Sequence, residues 1–249
     1  MAEGMTVRVG TSGWQYADWR GAFYPPKLPQ RLWLSSYCES FDTVEVNSSF
    51  YRLPTVETVR RWAGELPDGF VMALKVSRFL THVKRLREPA EPVARLMGVL
   101  SPLRARGVLG PLLIQLPPDL PAELDRLDQT LAEFPAGVRV AVEPRHQSWF
   151  TDELRALLAR RGAALVWADR EGRSLGPLWR TAGWAYLRLH HGRDGWGYDN
   201  RDLGRWAGRL AAAADGYAYA NNDPGAAAVR DARRLRAMVS ARGQLVARS

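Results

Sequence analysis

Six charged side chains stand at the ends of short apolar runs: Glu45, Lys75, Glu143, Arg145, Asp169 and Arg188. Asn47, Gln115, His190 and Asn221 occupy the same relative places. The spacing carries the argument. Glu45 and Asn47, Lys75 and Ser77, Glu143 and Arg145, and Arg188 and His190 each lie two residues apart, so each pair shares one face of an extended strand. Charges turned toward a covering layer of helices would be buried without water, which is costly. The pattern therefore predicts that these groups point inward and converge at one end of a sheet. Paired carboxylates in such a place divide the acid and base roles when their surroundings separate their pKa values. Glu143 is the leading catalytic candidate, with Asp169 or Glu45 as its partner. Lys75, Arg145 and Arg188 suit the oxygens of a phosphate or carboxylate. His190, Asn47, Gln115 and Asn221 complete a substrate-binding wall, and Trp14 and Trp149 offer ring faces to a sugar or base.

The elements that must position these groups are short β-rich runs. Eight are found: Val7–Ser12, Thr43–Phe50, Val71–Ser77, Leu112–Pro117, Arg139–Arg145, Ala164–Asp169, Ala185–His190 and Tyr217–Asn222. Stretches of helical spacing separate them, among them Val56–Leu66, Val93–Arg106, Ala122–Phe134, Asp152–Arg161 and Leu203–Ala214, and a last helix begins near Gly225. Alternating strand and helix predict a parallel sheet. Eight such units in 249 residues predict the α/β class, a single (β/α)8 TIM-type barrel domain over residues 1–249. An open doubly wound sheet would usually carry a phosphate fingerprint after its first strand, and Gly10-Thr-Ser-Gly-Trp14 is not one. Thr151 and Asp223 read as helix caps, the latter before Pro224. The connection from Gly13 to Gln30, rich in aromatics and proline, is expected to shape the active end of the barrel.

Composition bounds the function class. The chain is 46% hydrophobic with one cysteine, Cys38, which sits in an apolar helical segment and reads as a buried thiol. No run approaches a membrane span and no signal peptide is visible at the start, so the cytoplasm is the expected location. The net charge of +9 invites a nucleic-acid partner. Only Lys27, Lys75 and Lys84 are lysines, however, and the many arginines are scattered, which does not favour a dedicated nucleic-acid surface.

The same segments resemble the YecE-like family, a domain of unknown function. The resemblance rests on Gly10-Thr-Ser-Gly-Trp14, Trp19 to Leu28, Val44-Glu-Val-Asn-Ser-Ser-Phe-Tyr51 and Phe70 through Thr81-His82. It continues in Leu109 to Pro118, Val142-Glu-Pro-Arg-His146 with Trp149, Tyr186-Leu-Arg-Leu-His190 and Asn221-Asn-Asp223 with Gly225. It implies a barrel fold and leaves the activity open. His191 and Ala220 stand where the family tends to have glycine and phenylalanine.

Three readings follow. The first is metal-free acid–base or hydrolytic catalysis on a small polar or anionic, phosphate- or sugar-like substrate, with backbone donors near Gly225 helping to hold the anion. The second is a divalent-metal site built from Glu143, Asp169, His190 and Glu45, as in a phosphodiesterase, endonuclease or sugar isomerase. Three cations in the same place disfavour it, so no cofactor is assigned. The third is a non-catalytic barrel that binds a ligand or nucleic acid. His82 and His146 are expected to orient loops, and Gly192–Gly197 reads equally as a lid or as a plain connection.

Overall fold

The structure is a computed structural model that describes residues 6–193 and 195–246. In chain order the first half contains β1 (Thr6–Thr11), α1 (Trp33–Cys38), β2 (Thr43–Val46), α2 (Ser48–Tyr51), α3 (Val56–Glu65) and β3 (Val71–Lys75). A π-helical turn (Phe79–Val83) leads to α4 (Ala90–Val99), α5 (Ser101–Ala105), β4 (Leu109–Gln115), α6 (Leu124–Ala132) and β5 (Val140–Glu143). The remainder comprises α7 (Asp152–Arg161), β6 (Ala164–Arg170), β7 (Arg173–Ser174), β8 (Ala185–Leu189), α8 (Asn200–Ala213), β9 (Asp215–Ala220) and α9 (Ala227–Val246). Eight parallel strands alternating with helices define the TIM-type (β/α)8 class. The short β7 runs antiparallel to β6 and stands outside that set.

Each expected strand is present, but several end earlier than their patterns suggest. β2 stops at Val46, β3 at Lys75 and β5 at Glu143, so Asn47, Ser77 and Arg145 lie beyond the sheet. The single helix expected over Val93–Arg106 is two, broken at Leu100 just ahead of Pro102. Thr151 caps α7 as expected, its Oγ1 accepting from the Leu154 N–H at 3.3 Å. Among the described residues no helix is long and apolar enough to cross a membrane.

The chain divides into two compact units. One comprises the segment up to Val44, Val166–Leu178 and the chain from Gly183 onward; the other comprises Glu45–Leu165 and Trp179–Ala182.

In the first unit the strands pair in the order β1-β9-β8-β6. Tyr186, Tyr217 and Tyr219 share one face of β8 and β9, with Tyr186 and Tyr219 centroids 5.3 Å apart. The Tyr219 hydroxyl lies 2.8 Å from Thr43 Oγ1. The aromatic connection after β1 is a packed cluster rather than an open loop. Trp19 is fully buried, and Tyr24 stacks on Trp33 at 4.9 Å and 9°. Cys38 is half-buried, not sealed in the core as expected.

In the second unit β3, β4 and β5 lie side by side, with Lys75 opposite Leu113 and Gln115 opposite Glu143. Met72, Leu74, Leu112, Ile114 and Val142 are fully buried on the alternate positions. Ala73, Leu113 and Ala141, of the same parity as Lys75, Gln115 and Glu143, are buried as well, so both faces of these strands are covered.

Gly10 marks a place where β1 and β2 come too close for any side chain. A Cβ there would lie 2.2 Å from the Thr43 carbonyl oxygen. Gly10→Ala is expected to cost about 1–3 kcal/mol through overpacking. Chemical denaturation measures this, and an unchanged midpoint would contradict the close approach.

Candidate functional site

The second unit brings four of the expected residues into one hydrogen-bonded line. Lys75 Nζ donates to Gln115 Oε1 at 2.6 Å, and Gln115 Nε2 donates to Glu143 Oε2 at 3.0 Å. The Arg145 guanidinium completes the line, 2.5 Å from Glu143 Oε1. An ammonium only donates and a carboxylate only accepts, so the chemistry of its neighbours sets the orientation of the Gln115 amide. Glu143 is 1% exposed, and its charge is tolerable there because a guanidinium and an amide donor meet it.

A second set of contacts holds Lys75. Its ammonium lies 4.0 Å from the centre of the Phe50 ring, a cation–π distance. Phe50 is placed by α2, and α2 is fastened by Ser49. The Ser49 hydroxyl lies 2.7 Å from the Lys75 carbonyl oxygen and 3.0 Å from that of Val46. On Phe50 also rests the edge of His82, at 4.9 Å and 83°. His82 Nδ1 is 2.8 Å from Thr81 Oγ1. Burial, then the positive charges of Lys75 and Arg78, hold the His82 pKa below its ordinary value. The residue pattern implies a loop-orienting role for His82 and a strand at Phe50, whereas Phe50 lies in α2. The Ser48-Ser49 pair, a turn-forming signal just before Phe50, marks where the strand actually ends.

Glu45 is fully buried on β2. Asn47 is the residue before α2 and has left the strand, so it does not continue the face of Glu45 as parity suggested. Trp149 is fully buried and its Nε1 donates to the Leu120 carbonyl at 2.8 Å. It anchors packing and presents no ring face to a substrate. Trp14, 3% exposed, is likewise enclosed.

The first unit holds the other candidates. Arg188 and His190 follow Tyr186 at intervals of two, and Arg188 is 1% exposed. The Asn221 amide nitrogen lies 3.2 Å from His190 Nδ1. With that nitrogen donating, the proton of the neutral imidazole sits on Nε2.

Asp169 behaves differently from the expectation that it joins the inward acids. Its Oδ1 accepts from the Gly172 N–H at 3.0 Å and its Oδ2 from Trp206 Nε1 at 2.9 Å. Trp167, two residues earlier on β6, also packs against Trp206 of α8. Both side chains therefore face the helix, and Asp169 ties the β6–β7 hairpin to α8. Burial raises its pKa, opposed by hydrogen bonds from Trp206, Tyr198 and Gly172.

The expected anion-binding donors near Gly225 and the expected cap at Asp223 both differ from expectation. The Gly225 N–H donates to the Asp18 carboxylate at 3.0 Å, and the Asp223 side chain makes no capping bond. In the glycine-rich connection, Gly192 bridges to Gly195, and the Trp196 carbonyl accepts from Asn222 Nδ2 at 2.6 Å. Asp194 of that connection lies outside the described residues. Among the described residues no group of three or more His, Cys, Asp or Glu side chains is placed to hold a metal ion. Asp169, one of the four residues of the divalent-metal reading, is instead engaged with the Gly172 N–H and Trp206 Nε1.

Strand order and polar strand ends together define a TIM-barrel-class protein with acid, amide and cation groups at the ends of β3, β4 and β5. The chain belongs to the family described as "Protein of unknown function DUF72", whose model matches residues 8–249. It is 30% identical over 148 residues to the UPF0759 protein YecE of Escherichia coli, covering 58% of this chain and 50% of YecE. The chain thus spans about half the length of the curated relatives it matches. A DUF72 family protein from Thermotoga maritima superposes with a TM-score of 0.84 at 25% identity, over 94% of this chain and 99% of that one. D-psicose 3-epimerase shares the fold alone, with a TM-score of 0.52 at 11% identity over 92% and 97% of the two chains.

The position of His82 has a direct test. Its NMR titration midpoint should fall below 6.5 and rise toward that value in Lys75→Met, which removes a neighbouring positive charge. Because the unfolded chain then binds this proton first, the His82 contribution makes stability fall as pH drops through 6.5. A midpoint at or above 6.5 in the unsubstituted protein would contradict the burial beside Lys75.

Proposed function

We propose that the chain is an enzyme performing acid–base or hydrolytic chemistry on a small polar or anionic, phosphate- or sugar-like substrate. The observation that carries this reading is the line Lys75–Gln115–Glu143–Arg145 at the ends of three adjacent strands. Active sites of this fold class sit at the C-terminal strand ends. Glu143 is the proton-transferring group. Arg145 and Gln115 hold its carboxylate in one orientation, which is what a positioned acid or base needs. Lys75 and Arg145 hold substrate oxygens, the guanidinium by its planar fork and the ammonium as a point charge. Gln115 links the two ends, so a change of charge on Glu143 is felt at Lys75 through one amide.

The test is a turnover screen on phosphate esters, sugar phosphates and glycosides, followed by substitution. Glu143→Gln should lower kcat on any accepted substrate by about 100-fold or more. Lys75→Met should act mainly on KM, and should also weaken binding of inorganic phosphate measured by calorimetry. Turnover in Glu143→Gln equal to that of the unsubstituted protein would remove Glu143 from the chemistry.

A further inference from the structure

A cleft of about 140 Å³ lies in the second unit, lined by residues that follow the end of β3. Leu53, Val76, Phe79, Leu80 and Leu96 give it apolar walls. Val76 directly follows Lys75 and is buried, but none of Lys75, Gln115, Glu143 and Arg145 lines the cleft, so it is distinct from the site described above. The π-helical turn that carries Phe79 and Leu80 also carries His82.

Three polar groups border the apolar space: Glu91, Arg95 and Ser77. Glu91 and Arg95 both stand on α4, four residues apart, the spacing at which helical ion pairs form. Lys84 and Glu88 use that spacing for an ion pair, as do Arg61 and Glu65. Glu91 and Arg95 do not; among the described residues neither side chain has an ion-pair or hydrogen-bond partner. Ser77 Oγ accepts from the Phe79 N–H at 3.2 Å, which leaves its hydroxyl hydrogen able to donate. The cleft thus has a cation and a hydroxyl donor for a carboxylate, an anion for an ammonium, and an apolar interior.

We propose that this cleft binds a free α-amino acid with a branched aliphatic or phenyl side chain. Arg95 and Ser77 take the carboxylate, Glu91 takes the ammonium, and the side chain fills the space between Val76, Leu80 and Leu96. The size agrees, since an apolar cavity of about 150 Å³ accommodates benzene. Few convergent polar groups over apolar walls is the usual make-up of a small-molecule site. The assignment is independent of the catalytic reading of Glu143.

Calorimetric titration of the whole chain with L-leucine and L-phenylalanine tests it. Both should bind saturably, glycine should not, and isovalerate, which lacks the ammonium, should bind more weakly than leucine. Arg95→Met and Glu91→Gln should each weaken leucine binding by about tenfold or more, the loss of one charge-assisted contact. Both positions are exposed, so circular dichroism of the variants should match the unsubstituted protein. Glu143→Gln should leave leucine binding unchanged. Absence of saturable binding, equal binding of isovalerate and leucine, or indifference to both α4 substitutions would each overturn the assignment.

Discussion

Glu143 is almost sealed from water, and a carboxylate in that position persists only where cations and donors meet it. That requirement organises the end of the second unit. Arg145 must turn back beyond the end of β5 to reach one oxygen. Gln115 must present its amide nitrogen to the other, which turns its carbonyl toward Lys75. Lys75 then needs Phe50 beneath it, and Phe50 needs α2 fastened to the carbonyls of Val46 and Lys75. Removing one partner from a buried ion pair costs about 3–5 kcal/mol. Exposed pairs such as Arg61–Glu65 contribute about 0–1 kcal/mol. The difference explains why this line constrains its surroundings and the surface pairs do not.

Strand existence was legible in the sequence because each β-rich run is bounded by helical spacing. Strand ends were not. At Asn47, Ser77 and Arg145 the alternation of residue types continues past the point where the chain leaves the sheet. The pairing of Lys75, Gln115, Glu143 and Arg145 followed from parity and strand adjacency, which a one-dimensional pattern carries. The orientation of Asp169 did not follow. Ala164 to Asp169 are all buried, so no alternation of burial separates the faces of β6. The group that decides the matter, Trp206, lies 37 residues further on. The Gly225 N–H meets Asp18 across 207 residues, a partner no local motif reveals.

Aromatic residues illustrate the same limit from the side of packing. Trp14, Trp19 and Trp149 sit in connections, where a ring can line a ligand site or close a core. Burial of 3% or less assigns all three to the core. The indole of Trp149 satisfies the Leu120 carbonyl, and that of Trp19 satisfies the Asp223 carbonyl. Each indole N–H consumed by a loop carbonyl fixes a connection that would otherwise carry buried, unpaired backbone groups.

Assigning Asp169 to the α8 contact changes the chemistry that our reading supports. A two-carboxylate mechanism then has Glu143 and Glu45 to draw on, both almost fully buried in the second unit. Along the line at Glu143 the cations outnumber the carboxylate two to one. Such an excess suits the stabilisation of negative charge that develops on a substrate oxygen, provided the donors are fixed before the reaction begins. Gln115 and Phe50 fix Lys75, and Glu143 fixes Arg145. The same carboxylate that moves a proton in our reading thus also holds one of the cations in place. In that reading, neutralising Glu143 would both remove the acid–base group and loosen an oxygen-holding one, which gives it more weight than any other residue of the line.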